Sequence, residues 1–469
     1  MSVTMVEQAN ELNAEGKYEE AAELYDQLLT QNHANPDLLA TLATILLRNS
    51  KTIGLAITLF HYAIDRYKAK GKSINTEVYC NLGLAYKYSG QVEQAEKYLK
   101  MAVDSGPSAG ALANYGCMFV ESGKPGDGLP YLEQAVKLDP SMALAHWNLS
   151  LCLLEQAHPT DCWGRAWDEY EWGQIEGGMR IKKKHVDLPD WDGVNGKKLI
   201  VYGEQGIGDE IMFASMLAEV AKHNEVILDC HPRLATLFER NFNVKCYPTR
   251  KDKEMDWIEV EKPDAMIALG SLGKFYRRKK SDFTGEPYLQ SESAPKGNKF
   301  RVGISWTGGR LTHRVARRTV PLSWWKSIFN NSDCEFVSLQ YTDCADEIAI
   351  VEKEGYKIEQ FEEIKAYDYY ETAKIVASCD LVISVCTSVV HMAGALGVPT
   401  WVMTPNKPAW RYQTSGPMPW YRSVRLYRQP QGEVDAWIPV VQKIGYDLEQ
   451  LLSERRHSGL KSTMEAIAA

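Results

Sequence analysis

The sequence has no pair of cysteines spaced C-x-x-C, no apolar run approaching the length of a membrane helix, and no excess of positive charge. Each absence excludes something. The ten cysteines, at 80, 117, 152, 162, 230, 246, 334, 344, 379 and 386, lie mostly inside apolar runs. Neither zinc-finger spacing nor a small disulfide framework is present, so buried thiols in a reducing compartment are expected. The opening MSVTMVEQANELNAEG lacks the apolar core and cleavage pattern of a secretory leader. With no long apolar run either, the expected location is the cytoplasm. Residues 1–170 carry 13 Lys+Arg against 21 Asp+Glu, and the remaining residues carry 40 of each. A basic face for nucleic acid or an anionic membrane is therefore not indicated. The short runs KKK (182–184) and RRKK (277–280) read as solvated loop ends. No His/Cys/Asp/Glu cluster has metal-ligand spacing, so no metal is expected.

What is present begins with a repeat. The segments NTEVYCNLGLAYKYSGQVEQAEKYLKMAVDSGP, from residue 75, and AGALANYGCMFVESGKPGDGLPYLEQAVKLDP, from residue 109, overlay at an offset of 33 residues. Leu82 falls on Tyr115, Gly83 on Gly116, Tyr86 on Phe119, Gly90 on Gly123, Leu99 on Leu132 and Ala102 on Ala135. This resembles the tetratricopeptide repeat, in which small residues let paired helices approach and large ones fill the seam. Weaker copies surround Ala9, Gly16, Ala21 and Tyr25, and Ala56, Phe60 and Ala63. A fifth begins near Ala143 and closes through Ala166 and Tyr170. About five helical hairpins are expected over residues 1–173, enough to bury a continuous core.

Beyond WDEYEWG (167–173) the pattern changes. Residues 174–197 read as a charged, structureless linker. From 198 strands and helices alternate, which argues for parallel sheets with crossover helices. KLIVY (198–202) and EVILD (225–229) are strands of a first lobe over 198–290. FRVGISW (300–306), EFVSLQ (335–340), YKIEQF (356–361), DLVISV (380–385), PTWVM (399–403) and SVRLYR (423–428) form a second lobe over 300–430. The Ser-, Pro-, Gly- and Lys-rich stretch 281–299 is the expected hinge. A final helix is expected at 434–454, within a C-terminal segment 431–456, and a polar tail at 457–469.

Three loops carry candidate chemistry. GEQGIGDE (203–210) follows a strand and opens a helix, so its amides face an anion or a substrate. Its glycines, at 203, 206 and 208, do not follow the dinucleotide order, although Asp229 sits where a ribose-binding acid would be expected. Asp209 also fits a first-turn acid favoured by the helix dipole. The second loop lies in DLVISVCTSVVHMAGALG, where Thr387 and Ser388 are good helix caps that also suit a diphosphate, with His391 one turn on. The third, WTGGRLTHRVARR (306–318), offers His313, Arg314, Arg317 and Arg318, whose forked guanidinium groups match diphosphate oxygens, or a solvated basic loop. DWD (190–192) has the spacing of an acidic metal motif but precedes the first strand and reads as solvated linker.

Taken in order, these loops resemble bacterial tetratricopeptide proteins fused to a domain like glycosyltransferase family nine, the heptosyltransferases. The landmarks are WDEYEWG, WDG (191–193), EQGIGDEIMFASML (204–217), VGISWTGG (302–309), FVSLQ (336–340), CDLVISV (379–385), HMAGALG (391–397), PAWRY (408–412) and WYRSVRLYRQ (420–429). The resemblance implies an α-solenoid followed by an α/β GT-B-type domain of two Rossmann-like lobes, the first on the acceptor side and the second binding a nucleotide-diphosphate sugar without metal or other cofactor. It implies Asp209 as the general base beside Gly206 and Gly208. For donor binding it implies Trp306, Gly308, Arg314, Arg317, Arg318, Gln340, Thr387, Ser388 and His391. Many relatives carry an acid where this chain has Cys386. In architecture the chain is also similar to protein O-GlcNAc transferases, and Asn81, Asn114 and Asn148, at one position of successive repeats, form an amide ladder suited to the backbone of an extended protein acceptor. The expected function is sugar transfer to a protein or glycan acceptor. The competing readings are a non-catalytic repeat-based interaction protein and a glycosyltransferase acting on a modified DNA base, which the near-neutral second half disfavours.

Overall fold

The computed structural model describes residues 5–468, apart from 6, 10, 13–14, 16, 32–34, 176–178, 181, 184–187, 251–253, 309–317, 366–367 and 431–435, and apart from the side chains of 29, 31, 158 and 458–468. The chain divides into two compact units, Met1–Cys152 and Leu153–Ala469.

The first unit is all helix among its described residues. Its helices are α1 (Tyr18–Gln31), α2 (Pro36–Leu46), α3 (Ile53–Ala69), α4 (Thr76–Tyr88), α5 (Val92–Ser105), α6 (Ala109–Glu121), α7 (Pro125–Leu138) and the first part of α8 (Ala143–Thr160). The 33-residue offset has a packing counterpart. A Cβ on Gly83 would lie 2.7 Å from Leu99 Cγ, and one on Gly116 would lie 2.7 Å from Leu132 Cγ. In both hairpins the missing side chain lets the second helix bring a fully buried leucine onto the backbone of the first. Tyr86 stacks on Tyr98 with ring centroids 5.5 Å apart, and Phe119 on Tyr131 at 5.9 Å, again one offset apart. Gly90 and Gly123 end the two first helices with φ of 80° and 75°, a conformation side chains rarely adopt.

The second unit begins within α8 and includes α9 (Trp163–Tyr170). The first compact unit ends at Cys152, inside α8, whereas the repeats were expected to run to residue 173. The helix that would close a fifth hairpin instead packs into the α/β region, where Trp167 lies against Gly273, with a Cβ there only 2.7 Å from the indole. Trp167 also meets Phe213, Trp410 and Trp420 at centroid distances of 6.2, 5.7 and 6.5 Å.

Among the described residues, ten parallel strands make two sheets. In the first, β1 (Lys198–Tyr202), β2 (Glu225–Asp229), β3 (Lys245–Tyr247) and β4 (Ala265–Ala268) run in the order β3-β2-β1-β4. In the second, β5 (Phe300–Ser305), β6 (Cys334–Ser338), β7 (Ile358–Glu359), β8 (Leu381–Val385), β9 (Thr400–Thr404) and β10 (Val424–Arg428) run in the order β10-β9-β8-β5-β6-β7. The central strands are buried along almost their whole length, as parallel strands covered on both faces must be. The longer helices of this unit are α10 (Ile207–Phe213), α11 (Ala235–Asn241), α12 (Ala345–Glu352), α13 (Tyr369–Ala377), α14 (Ser388–Ala395) and α15 (Trp437–Ala468).

Several expectations are corrected here. The strands β3 and β4 are additional, and the expected strand 356–361 is only Ile358–Glu359. Helix α15 continues through the expected polar tail. The stretch 174–197 is not a solvated linker in its described part. Trp191 is buried against Phe275 at 4.8 Å, its backbone N–H donates to Met266 O (2.8 Å), and Met266 N–H donates to Pro189 O (3.0 Å). Arg180 is buried too. Asp190 and Asp192 are exposed, so the bland reading of those two carboxylates fits their position.

Two outcomes follow from this packing. Gly83→Ala or Gly116→Ala should destabilise the helical unit by about 1–3 kcal/mol, because a leucine must move aside, read as a lower denaturant midpoint by circular dichroism. Glu155, on α8, is 8% exposed, and burial pushes its carboxyl up to about 8. A raised carboxyl contributes stability fully present below its unfolded value, near 4.5, and lost as pH rises through about 8. Glu155→Gln should flatten that decline, which has a limiting slope of about 1.4 kcal/mol per pH unit, in melting curves taken across that window.

Candidate functional site

In an open parallel sheet, a crevice forms at the carboxyl ends of the strands where chain connections diverge. In the second sheet the divergence lies between β5 and β8, which are neighbours although β6 and β7 come between them in the chain. The loops after these strands therefore sit side by side. A Cβ on Gly308 would lie 2.9 Å from Thr387 Cγ2 and 3.2 Å from Cys386 O. In the first sheet the loop after β1 leaves between β2 and β4 and opens α10. Gly203 is needed there because a Cβ would collide with the Glu210 carboxyl at 2.3 Å.

These loops meet. Gly208 faces α14, and a Cβ on it would sit 3.0 Å from His391 Cδ2 and 3.3 Å from Ser388 Cα. Asp209, next along, uses one carboxylate oxygen to accept from Gly206 N–H (3.2 Å), capping its own helix. The other oxygen accepts from Arg411 in an ion pair only 18% and 16% exposed at its two side chains. Arg411 Nε is buried without a hydrogen-bond partner. Burial works against the charge of this guanidinium and is the largest single influence, yet Asp209 together with Tyr412, Tyr170 and Cys386 outweighs it and its pKa lies above the ordinary value.

The start of α14 is ordered by its own hydroxyls. Thr387 Oγ1 accepts from Val389 N–H (3.2 Å) and contacts Ser384 Oγ (3.2 Å), while Ser388 Oγ lies 3.2 Å from Tyr369 OH. His391 is 3% exposed, with Nδ1 3.2 Å from Tyr421 OH. Burial, with Arg411 adding to it, holds its pKa well below the ordinary value, so the imidazole is neutral. Cys386 is buried, and burial pushes its thiol up to about 11 against the opposing pull of Arg318, Arg411 and Arg428. The sulfur is thus a neutral group among three guanidinium charges.

Asp209, Gly206, Gly208, Gly308, Thr387, Ser388 and His391 are accordingly close together, with Arg318 near enough to act on the neighbouring Cys386 thiol. Trp306 and Gln340 are placed differently. Trp306 is fully buried and donates its indole N–H to Glu347 (3.0 Å). Gln340 accepts from Ser305 Oγ (3.1 Å) and from the backbone N–H groups of Trp306 and Thr307 (both 3.3 Å), and donates to Thr307 O (3.0 Å) and Thr342 Oγ1 (2.9 Å). Its amide is spent on shaping the loop after β5. Arg314 and Arg317, with His313, lie outside the described residues. Asp229 is fully buried, paired with Lys183 and accepting from Thr249 Oγ1 (2.9 Å), which leaves no carboxylate there to receive a ribose. In the helical unit, Asn81 donates to Thr44 Oγ1 (3.1 Å) and Asn114 to Cys80 Sγ (3.3 Å), each reaching the first helix of the preceding hairpin, and Asn148 is 8% exposed. Among the described residues no group of three or more His, Cys, Asp or Glu is placed to hold a metal ion, and no helix is long and apolar enough to cross a membrane.

Sequence reasoning missed Arg411 and Arg428 as site residues, although the first stands in PAWRY and the second in WYRSVRLYRQ. An arginine inside an aromatic cluster was the available signal, since such a charge needs a buried partner. Gln413 was missed as well. It has φ 55° and ψ 164°, a strained backbone, and is held by its side-chain donations to Leu154 O (2.5 Å) and Trp410 O (2.8 Å) and by Arg428 donating to its carbonyl (2.8 Å).

Comparison with known proteins shows tetratricopeptide repeats at residues 76–106 and 116–158. Protein FlbA of Caulobacter vibrioides is 26% identical over 438 residues, covering 78% of this chain and 71% of that protein. Among solved structures, YrrB, described as a tetratricopeptide protein with an unusual peptide-binding site, is 18% identical and covers 36% of this chain and 85% of its own, with a TM-score of 0.29. A thermophilic tetratricopeptide protein of Thermus thermophilus is 21% identical, covering 36% of this chain and 88% of its own, with a TM-score of 0.31. PilF of Pseudomonas aeruginosa is 14% identical, covering 47% and 86%, with a TM-score of 0.34.

The contact of α10 with the start of α14 is testable. Gly208→Ala should cost about 1–3 kcal/mol and shift the His391 imidazole resonances, because both neighbours of the new methyl are buried or backbone atoms. Gly206→Ala, whose methyl would meet only the end of the Asp209 side chain, should leave those resonances nearly unchanged. Equal effects of the two substitutions would contradict the packing described.

Proposed function

We propose that the second unit is a metal-independent glycosyltransferase of GT-B type, moving a sugar from a nucleotide-diphosphate donor to a protein or glycan acceptor. The single observation that carries this reading is the pairing of Asp209 with Arg411 at the meeting point of two helix starts, α10 and α14. It places a carboxylate next to a group of cations at the carboxyl ends of two parallel sheets, the arrangement that proton removal and diphosphate departure together require. Its support also includes the order of the sequence landmarks and the neutral His391, which adds no competing charge.

In this reading Arg411 is the residue that changes partner. Without donor it neutralises Asp209. With donor bound, its guanidinium turns to the diphosphate, joined by Arg318 and the amides at the start of α14, while Arg428 stays on the carbonyls of Tyr412, Gln413 and Gly416. Asp209 is then free to accept the acceptor's proton as the acceptor oxygen attacks the anomeric carbon. The bond to the diphosphate breaks, and the departing negative charge is met by those donors. Cys386 supplies no charge to this exchange, so the sugar is held by neighbouring groups. The tetratricopeptide unit recruits the protein acceptor or a partner, and the asparagines along α4, α6 and α8 are its candidate contacts.

The test is kinetic. Asp209→Asn should lower transfer, or sugar-nucleotide hydrolysis by the purified protein, by about 10²–10⁴-fold while donor binding in a thermal-shift screen survives. Arg411→Ala should weaken donor binding itself. Full activity in Asp209→Asn removes that residue from the mechanism. A protein that binds and hydrolyses no sugar nucleotide would instead be a repeat-based interaction protein.

A further inference from the structure

Two tyrosines packed behind α14 decide which nitrogen of His391 carries the proton. The stretch between the sheets is pinned to this helix, since the backbone N–H groups of Tyr288 and Leu289 both donate to Ala395 O (3.0 Å each). Tyr421 lies against the same helix, where a Cβ on Gly394 would stand 2.4 Å from the tyrosine Cγ. The two phenol oxygens are 3.3 Å apart, and Tyr421 OH is 3.2 Å from His391 Nδ1. One end of this row has a fixed direction. Tyr288 OH lies 2.5 Å from Ile211 O in α10, and a carbonyl only accepts, so the Tyr288 proton is spent there. Its oxygen can then only accept from Tyr421, whose single proton goes to Tyr288. Burial keeps both phenols protonated, with pKa values above the ordinary one. Tyr421 therefore has only a lone pair to offer His391. The imidazole, already neutral, must place its one hydrogen on Nδ1.

Nε2 is then a bare lone pair. It has no hydrogen-bond partner among the described residues, yet it is not one of the side-chain atoms sealed away without a partner, so it keeps part of the 3% of surface that His391 exposes. The ring edge that carries it faces Gly208, whose Cβ would lie 3.0 Å from the adjoining Cδ2, next to Asp209. We infer that Tyr288 and Tyr421 are positioning residues that fix this tautomer and so make His391 Nε2 a neutral acceptor for a hydroxyl of the ligand. An unprotonated diphosphate oxygen also only accepts, and two lone pairs repel, so His391 does not serve the phosphates. Those fall to Arg411, Arg318 and the amides of α14. A sugar or ribose hydroxyl has the proton that Nε2 lacks. The source of the hydroxyl rests on the transfer reading, whereas the tautomer does not.

The experiment is histidine-ring ¹⁵N NMR on the full-length protein, with His391→Gln identifying the His391 signals among those of ten histidines. In the free parent protein Nδ1 should be the protonated nitrogen and Nε2 the bare one. Tyr288→Phe leaves Tyr421 free to give its proton to Nδ1, so the imidazole hydrogen should move to Nε2, although Tyr288 reaches the histidine only through Tyr421. Tyr421→Phe should move it likewise, because an Nδ1–H buried without an acceptor is unfavourable. Both variants keep the aromatic ring, and near-ultraviolet circular dichroism checks that the fold persists. UDP-glucose, GDP-mannose and ADP-glucose are then added, each against its parent nucleoside diphosphate. A probe that binds should shift the Nε2 resonance and leave that nitrogen unprotonated. A shift with the sugar nucleotide alone places the hydroxyl on the sugar, and a shift with both places it on the ribose. Either variant should weaken that probe by about fivefold or more. The inference is overturned if Nε2 carries the proton in the free protein, if both variants keep the parent's tautomer, or if a bound probe leaves the Nε2 resonance unmoved. If no probe binds, the transfer reading fails, and the tautomer of the free protein still decides this one.

Discussion

The α/β unit depends on a knot of large aromatic side chains that joins parts of the chain far apart in sequence. Trp163 and Trp167 come from α9, Phe213 from the end of α10, Phe283 from the stretch between the sheets, and Trp410 and Trp420 from the segment between β9 and β10. Each ring buries a large apolar area, and their edge-to-face contacts fix mutual angles as well as distances. Gly273 is part of the same constraint, since any side chain there would displace the Trp167 indole. Because Phe213 ends the helix that begins beside Asp209, and Trp410 precedes Arg411, the knot sets where both partners of the central ion pair stand. Packing precedes electrostatics here. The carboxylate and the guanidinium stand on segments that these ring contacts hold together.

Topology supplies the second layer. Parallel sheets place every loop that follows a strand at the same edge, and neighbouring loops diverge where the strand order reverses. The loops after β1, β5 and β8 each carry glycines or hydroxyls at close approach, Gly203 to Gly208, Gly308, and Thr387 with Ser388. Around them the polar groups divide into those consumed by the fold and those left to the crevice. Gln340 and Trp306 belong to the first kind. The Nε of Arg411 belongs to the second.

What the sequence made legible follows from the range of the forces involved. The hairpin repeat was readable because its determinants, a glycine opposite a leucine and a stacked aromatic pair, recur within 33 residues. Strands such as KLIVY and DLVISV were readable because burial on both faces demands an unbroken apolar run. KCY, only three residues and half exposed, carries no such mark. Arg180 falls in the stretch read as a charged, structureless linker, yet it stacks over Tyr170 at 4.3 Å and pairs with Glu204 at 2.8 Å, partners on other elements that no local pattern announces. The same holds for Arg411, whose partner stands 202 residues away. Charges buried by tertiary structure are the residues that local sequence reading places on the surface.

The backbone at Gln413 has a consequence for how the site tolerates change. A conformation that glycine would adopt without cost is imposed on a residue whose amide is pegged to Leu154 and Trp410 and whose carbonyl is pegged by Arg428. The strain is therefore kept because it is over-determined, and it stiffens the short segment on which Arg411 rides. In the proposed reading a stiff segment leaves only the Arg411 side chain to reorient when the donor arrives, so the backbone part of the ordering cost is met at folding rather than at binding. Position 413 would thus behave as one of the least replaceable in the chain.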